Sequence, residues 1–148
     1  MVVAPGIYDA YGARMVEKAG FEAVYMTGNG VSACLLGQPD VGMVDLSLFA
    51  AHAHRAAACV SIPLICDADT GYGNAVNVKH TVREFEAAGV AAIHLEDQVM
   101  PKRCGHLPGS RPVVSLEEHA GKIEAAVAAR RDPDFIIIAR TDAATGLG

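Results

Sequence analysis

The stretch Leu64-Ile-Cys-Asp-Ala-Asp-Thr-Gly-Tyr-Gly-Asn74 decides the architecture of this 148-residue chain. A short apolar run ends abruptly at two carboxylates, Asp67 and Asp69, and a glycine-bearing turn follows at once. On an extended strand, side chains two residues apart point to the same face, so these carboxylates are expected to project together. Two like charges that close are unfavourable unless a cation or a shared proton relieves them. A hard divalent cation is the simplest partner, and this indicates an active site.

The same order of apolar run, polar end and helix recurs along the chain. Five apolar runs predict strands at residues 1–4, 23–26, 62–66, 91–95 and 135–139. Helices lie between them, and their starts are marked by capping residues such as Asp9 and Ser115. The helix that follows Ser115 is predicted to bury Leu116, Ala120, Ile123 and Val127. Continuously apolar strands that alternate with helices of this length predict a parallel sheet covered by helices.

Two parallel architectures compete, a doubly wound sheet and a (β/α)8 barrel. Polar residues directly follow four of the predicted strands: Thr27, Asp67 with Asp69, Glu96 with Asp97, and Arg140 with Asp142. A doubly wound sheet gathers its site at one switch point, whereas a barrel collects residues from many strand ends. We therefore predict a (β/α)8 TIM barrel of the α/β class. Five strands cover about the first five βα units, so a single partial barrel domain is expected over residues 1–148.

Composition excludes several function classes. The formal net charge is −5 and no basic stripe occurs, which argues against nucleic-acid binding. No apolar stretch approaches the ~18 residues of a membrane span, and the N-terminal residues lack the features of a signal peptide. The four cysteines have no C-x-x-C spacing and are expected to be free thiols in a reducing compartment. The chain is therefore predicted to be cytoplasmic, without a nucleic-acid or membrane partner.

The carboxylates and the thiol loop are the first two candidates for chemistry. Asp67, Asp69 and Glu96 at neighbouring strand ends would form an oxygen-rich site of the kind that holds Mg²⁺. The less favoured alternative is that they are solvated acids that cap the following helices. In the loop Lys102-Arg-Cys-Gly-His106, cationic side chains flank a thiol that could transfer a proton. The alternative is an inert cysteine in a surface loop.

An arginine and a glycine turn are the other two candidates. Arg140 ends the most apolar strand, where its guanidinium could hold a carboxylate in bidentate fashion or form an ion pair with Asp142, Asp69 or Glu96. The segment Thr27-Gly28-Asn29 could offer backbone donors as an anion cradle, or form a plain turn.

Six motifs in a fixed order resemble one known superfamily. They are Tyr25-x-Thr-Gly, Gly37-Gln-Pro-Asp-Val-Gly42, Asp67-Ala-Asp-Thr-Gly-Tyr-Gly73, Glu96-Asp-Gln98, Lys102-Arg-Cys-Gly-His106 and Ala139-Arg-Thr-Asp142. The chain resembles the isocitrate lyase/phosphoenolpyruvate mutase superfamily, and within it the branch of methylisocitrate lyase and 2,3-dimethylmalate lyase. The resemblance covers essentially the whole chain and implies a (β/α)8 barrel that binds Mg²⁺ or Mn²⁺.

The resemblance also implies roles for individual residues. The residues implied at the metal are Asp67, Asp69, Asp40 and Glu96. Cys104 matches the thiol of the lyase branch, which protonates the departing fragment, and Arg140 matches an arginine that binds a carboxylate. Further residues implied to contact the substrate are Tyr25, Thr27, Gly28, Gly105 and His106. Tyr25 and Glu96 are implied to take part in catalysis together with Cys104 and Arg140.

The implied function is a Mg²⁺-dependent carbon–carbon lyase. Its substrate would be a methylisocitrate-like or dimethylmalate-like 2-hydroxy carboxylate, cleaved to a 2-oxo acid such as pyruvate plus a dicarboxylate. The alternatives within the superfamily are carboxyphosphonoenolpyruvate mutase, phosphonopyruvate hydrolase and oxaloacetate decarboxylase, and Cys104 favours the lyase because the mutase branch usually lacks this thiol. The remaining alternative is an inactive barrel fragment.

The resemblance implies an assembly as well. Complete members of the superfamily finish the barrel with three more βα units and are expected to form homo-oligomers, as tetramers. The 148-residue chain alone would expose unpaired strand edges, so we expect it to be unstable or to associate with copies of itself.

Overall fold

The computed structural model describes residues 1–146. The strands are β1 Gly6–Ile7, β2 Val24–Met26, β3 Leu64–Asp67, β4 Ala92–Glu96 and β5 Ile136–Arg140. The helices are α1 Ala10–Lys18, α2 Gly28–Leu36, α3 Leu46–Ala57, α4 Ala75–Ala87, α5 Leu116–Ala129 and α6 Ala143–Gly146. In this range, no helix is both long enough and apolar enough to cross a membrane.

The order of the strands distinguishes the two competing architectures. They pair as β1-β2-β3-β4-β5, and every pair is parallel. A doubly wound sheet reverses its order at a switch point, whereas a barrel adds each strand beside the previous one. The unbroken order confirms the predicted partial barrel of five βα units. The register also brings strand ends together, since Asp67 is paired with His94 and Glu96 with Arg140.

The hydrophobic core lies between the strands and the helices that cover them. Met26 and Ile93 are fully buried on the sheet, and Phe49 of α3 meets Phe85 of α4 edge to face at 5.9 Å between ring centroids. This packing fixes β2, β3 and β4 against α3 and α4. The polar ends of those three strands are therefore held on a rigid support.

The prediction for the first strand was wrong in position. Residues 1–4 form no strand, and β1 is the two-residue segment Gly6–Ile7. The sheet hydrogen bonds begin at the carbonyl of Pro5, which accepts from the Tyr25 N–H at 3.0 Å. Val2 and Val3 have high β propensity but remain exposed, because the neighbouring strand β2 only begins at Val24.

Helix α2 lies where the sequence suggested a turn and a loop. Gly28 and Gly30 in its first turn lower the helix propensity of the segment. Thr27 nevertheless caps the helix, because its Oγ1 accepts a hydrogen bond from the Gly30 N–H at 3.0 Å. Gly37 ends it in the left-handed conformation that suits a helix C-terminus.

The buried face predicted for the helix that follows Ser115 was also wrong. In α5 the buried residues are Lys122, Ala125, Ala126 and Ala129, whereas Leu116 and Val127 are exposed. The small alanine side chains let α5 pack closely on α4, and this contact selects a face that hydrophobicity alone does not indicate. A lysine is thereby placed inside the helix–sheet packing.

Candidate active site

A cavity of about 320 Å³ opens at the carboxyl ends of the strands. It is lined by Tyr25, Thr27, Asn29, Asp40, Asp67, Glu96, Lys102, Arg103, Cys104, Gly105, His106 and Arg140. All residues predicted for the site line this cavity except Gly28 and Asp69. Those two lie next to Asp67, one of the lining residues. The fold therefore brings the residues of all six motifs to one place.

Asp67 is held by one backbone donor from the start of α2 and one from the loop that follows β3. Its Oδ2 accepts a hydrogen bond from the Gly28 N–H at 3.1 Å, and its Oδ1 accepts one from the Asp69 N–H at 3.0 Å. A Cβ at position 28 would lie 2.8 Å from Asp67 Oδ2 and 3.4 Å from Asp69 Oδ1, so only glycine leaves room for both carboxylates. The anion bound by the predicted cradle at Gly28 is thus the protein's own Asp67.

Lys102 lies between two buried carboxylates. Its Nζ is 2.5 Å from Asp40 Oδ2 and 2.5 Å from Asp69 Oδ1. Burial, together with the nearby Asp67 carboxylate, raises the pKa of Asp69 to about 7. Burial alone would lower the pKa of Lys102, but Asp69 and Asp67 raise it above its usual value, so the lysine stays charged.

Lys102 was predicted only to flank the thiol, because a lysine in a loop rich in glycine and proline is usually solvated. The signal that could have found it is the charge of the site. Buried acids such as Asp40, Asp67 and Asp69 require a positive charge among them. Lys102 is the first cation that follows the nearest strand, β4.

The oxygens that could bind a metal are only partly assembled. Across residues 1–146, no three His, Cys, Asp or Glu side chains have the spacing of a metal site. Asp69 Oδ1 is buried and lies 2.5 Å from Lys102 Nζ, an ammonium group that it shares with Asp40. A buried carboxylate oxygen of this kind is a hard donor that suits Mg²⁺ or Mn²⁺. The chemistry of the donor set therefore fits the predicted ion, and the metal ligands remain a prediction.

Glu96 and Arg140 form a buried ion pair at the ends of β4 and β5. Arg140 Nη1 lies 3.0 Å from Glu96 Oε2, and Arg140 Nη2 lies 3.1 Å from Asp142 Oδ2. Glu96 is only 2% exposed, and burial raises its pKa to about 7 even though Arg140 opposes this shift. The ion-pair interpretation of Arg140 is confirmed. Its side chain is 35% exposed and lines the cavity, so binding of a substrate carboxylate remains a prediction.

Tyr25, which was predicted for the site, forms a pair with His94. The Tyr25 hydroxyl is hydrogen-bonded to His94 Nε2, and the two rings stack with centroids 5.5 Å apart. Burial lowers the pKa of His94, and burial together with Asp67 raises the pKa of Tyr25, so both side chains are neutral at pH 7. His94 was not predicted. Its position two residues before Glu96 on the same strand is the signal that could have found it.

The thiol loop is folded against the site. Cys104 is buried, and its N–H donates to the Asp40 carbonyl at 3.0 Å. Gln98 fixes Arg103, the residue before Cys104. The Gln98 Oε1 accepts from the Arg103 N–H at 2.9 Å, and the Gln98 Nε2 donates to the Arg103 carbonyl at 3.1 Å. The interpretation of Cys104 as an exposed cysteine is wrong, because its side chain is buried. Its side chain lines the same cavity as Asp67 and Arg140.

Comparison with known proteins gives consistent results. The family described as phosphoenolpyruvate phosphomutase matches residues 1–146. The chain is 59% identical to 2,3-dimethylmalate lyase of Eubacterium barkeri over 148 residues, which are 100% of this chain and 51% of that protein. It is 49% identical to 2-methylisocitrate lyase of Shewanella oneidensis over 138 residues, which are 93% of this chain and 47% of that protein.

Solved structures share the fold along the whole chain. The structure of oxaloacetate acetylhydrolase in complex with the inhibitor 3,3-difluorooxalacetate matches with a TM-score of 0.94 and 46% identity, covering 100% of this chain and 51% of that one. Phosphonopyruvate hydrolase in complex with oxalate and Mg²⁺ matches with a TM-score of 0.89 and 41% identity, covering 100% of this chain and 50% of that one. The chain spans about half the length of the curated relatives that it matches.

Proposed function

We propose that this chain, which belongs to the phosphoenolpyruvate phosphomutase family, carries the metal side and the thiol side of a carbon–carbon lyase site. The substrate would be a methylisocitrate-like or dimethylmalate-like 2-hydroxy di- or tricarboxylate. One observation carries the proposal: Cys104 lines the same cavity as Asp67, Glu96 and Arg140. The names of the relatives from Eubacterium barkeri and Shewanella oneidensis support a lyase.

The proposed cleavage breaks the bond between the carbon that bears the hydroxyl and its neighbour. The hydroxyl loses its proton and becomes the carbonyl of a 2-oxo acid such as pyruvate. The electron pair of the broken bond stays on the other fragment, which takes the proton of the Cys104 thiol. This fragment is a dicarboxylate when the substrate is methylisocitrate and a monocarboxylate when it is dimethylmalate. Glu96 would accept the hydroxyl proton, because its carboxylate lies beside Arg140 in the same cavity as Cys104. Exchange with solvent then restores both groups.

The remaining residues of the cavity would bind and orient the substrate. Arg140 is held in place by Glu96 and Asp142, so its guanidinium is preorganised to bind a substrate carboxylate. Tyr25 stays protonated and can donate a hydrogen bond to the 2-oxo group. Thr27, Gly28, Gly105 and His106 would complete the surface around the substrate.

Asp40, Asp67, Asp69 and Glu96 would hold Mg²⁺ or Mn²⁺. When bound, the ion would supply Lewis-acid stabilisation of the oxygen that becomes the carbonyl. The cluster of buried carboxylates, which holds the Lys102 ammonium between Asp40 and Asp69, supports a cation at this point. The phosphonopyruvate hydrolase structure contains Mg²⁺ together with oxalate, a small dicarboxylate.

Replacement of the thiol tests the proposal. Cys104→Ser should abolish cleavage of methylisocitrate and dimethylmalate but leave Mn²⁺ binding unchanged, because the thiol is not among the proposed metal ligands. Cys34→Ser is the matched control, since Cys34 is a free, exposed thiol outside the cavity. Undiminished turnover by Cys104→Ser would contradict the assigned role.

A second candidate function is hydrolysis or decarboxylation of a 2-oxo acid such as oxaloacetate or phosphonopyruvate. The similarity to the structures of oxaloacetate acetylhydrolase and phosphonopyruvate hydrolase favours it. Assay of the chain against all four compounds separates it from the lyase. If no compound is turned over and Mn²⁺ binds equally after Asp67 and Asp69 are changed to Ala, the chain is an inactive partial barrel.

A further inference from the structure

The loop that carries Asp69 has an unusual backbone conformation. Asp69 has φ of 48° and Tyr72 has φ of 60°, in the left-handed region that residues other than glycine rarely adopt. Gly71 and Gly73, with φ of 84° and 147°, complete the turn. Such strain persists only where the surrounding structure holds it, and the strain at Asp69 sets the direction of a proposed metal ligand.

Three consecutive carbonyl groups of this loop each accept a hydrogen bond from a different element. The Asp69 carbonyl accepts from the Glu96 N–H of β4 at 2.9 Å. The Gly71 carbonyl accepts from Thr81 Oγ1 of α4 at 3.0 Å. Between them, the Thr70 carbonyl accepts from Lys122 Nζ of α5 at 3.3 Å. The strained turn is thus held by hydrogen bonds from β4, α4 and α5.

Lys122 is the unexpected member of this set. It is 5% exposed and lies on the alanine-rich face of α5, at the contact with the sheet. The nearest acid is Glu118, whose Oε1 is 3.9 Å away and whose side chain is 54% exposed. An ammonium group is costly to bury, and a methionine would fill the same space without that cost. The hydrogen bond to Thr70 is the interaction that only the lysine provides.

We propose that Lys122 is a positioning residue of the site, which fastens the Thr70 carbonyl and thereby fixes the left-handed Asp69, a proposed metal ligand. The role in metal binding rests on the proposed function. The role in holding the loop does not, because it concerns contacts within the chain. Lys122 is absent from the residues that line the cavity, so it acts only through the loop.

Hydrogen exchange and Mn²⁺ titration of the 148-residue chain test this inference. Lys122→Met keeps the aliphatic stem and removes the donor, so the amides of residues 69–73 should exchange about tenfold faster while Ile93 of β4 keeps its protection. The Mn²⁺ dissociation constant, measured by paramagnetic resonance, should rise about tenfold or more. Lys122→Arg keeps a charged donor and should restore most of both properties.

Two controls separate the positioning role from general effects of charge. Glu118→Gln removes the ion pair of Lys122, and Lys79→Met removes an exposed lysine of α4. Both should exchange and bind Mn²⁺ as the wild type does. If Glu118→Gln reproduces the effect of Lys122→Met, the ion pair rather than the Thr70 carbonyl explains it and the inference is overturned.

The remaining outcomes also decide the matter. Wild-type exchange in residues 69–73 of Lys122→Met would overturn the inference. If that variant does not fold, Lys122→Gln takes its place, and wild-type loop exchange there has the same meaning. If the wild type binds no Mn²⁺, the proposed metal site fails, and the exchange of the loop still decides whether Lys122 holds it.

Discussion

Substitution of Gly28 by alanine is the sharpest test of the site geometry. Gly28 is the first residue of α2, and its backbone lies outside the left-handed region, so alanine is acceptable to the helix itself. The added Cβ would lie 2.8 Å from Asp67 Oδ2 and 3.2 Å from Asp67 Cγ. Contacts that short force the carboxylate to move. The hydrogen bond from the Gly28 N–H to Asp67 would be distorted as a result.

The expected magnitude follows from opposing effects. A glycine-to-alanine change in a helix gains about 0.5–1 kcal/mol of stability. Overpacking at a buried position costs about 1–3 kcal/mol, and a weakened hydrogen bond to a charged group costs about 1.5–3 kcal/mol. We therefore expect Gly28→Ala to lower the free energy of unfolding by about 1.5–5.5 kcal/mol. Mn²⁺ affinity should fall about 10–100-fold, as for other changes that displace a metal ligand.

Gly121→Ala is the matched control for this experiment. Gly121 lies within α5, and a Cβ built on it has no atom within 4 Å. This variant should be more stable by about 0.5–1 kcal/mol and bind Mn²⁺ normally. Urea denaturation and Mn²⁺ titration of both variants give the comparison. If Gly28→Ala is stabilised like Gly121→Ala and keeps its Mn²⁺ affinity, the close packing of Gly28 on Asp67 and Asp69 is refuted.

Three further predictions concern charge and the open edge of the sheet. Burial raises the pKa of Asp69 and Glu96 to about 7, so between about pH 4 and 7 the folded chain binds protons that the unfolded chain has lost. The free energy of unfolding of the metal-free chain should therefore fall as the pH rises through this window. The fall should be smaller in Asp69→Asn, and an equal pH dependence of the thermal stability of the two proteins would contradict this. Arg140→Met leaves the buried Glu96 without its cation and should destabilise the chain by about 1–3 kcal/mol in urea denaturation, a range reduced for the partial exposure of Arg140. Arg140→Lys should recover only part of this loss, because a lysine cannot span Glu96 and Asp142 together, and full recovery would argue against the fork geometry. The double variant Ile136→Lys/Ile138→Lys should show less self-association in sedimentation velocity. The reason is that β5 pairs only with β4 among the described strands and that these two side chains are 57% and 39% exposed. Val76→Lys on α4 is the control, and an equal effect of this variant would show that added charge alone is responsible.

The sequence predicted most of the candidate site because its residues follow apolar runs directly. Asp67 ends β3, Glu96 ends β4 and Arg140 ends β5, and each is recognised from its neighbours alone. Asp69 lies two residues beyond β3 with a left-handed backbone, so it does not continue the strand as the spacing predicted. Sequential parallel strands then bring these ends to one rim. The residues that the sequence missed lack such a local signal. Lys102 is one of them, since it lies in a loop and its partner Asp40 is 62 residues away.

Two errors in the predicted fold have the same origin. Helix α2 was missed because Gly28 and Gly30 disfavour a helix locally, while the contact that requires Gly28 is to Asp67, 39 residues further on. The buried face of α5 was misassigned because Lys122 is a polar residue, and the sequence pattern places polar residues on the exposed face. Its actual partner, the Thr70 carbonyl, is 52 residues away.

The sequence by itself determined the five βα units and the polar residues at their strand ends, because periodicity, capping and turn chemistry act over a few residues. Only the tertiary structure decided which buried charges neutralise one another. Lys102 joins Asp40 to Asp69, and Arg140 joins Glu96 to Asp142. These pairings depend on desolvation and on distances of a few ångströms between separate elements, and neither quantity exists until the chain has folded.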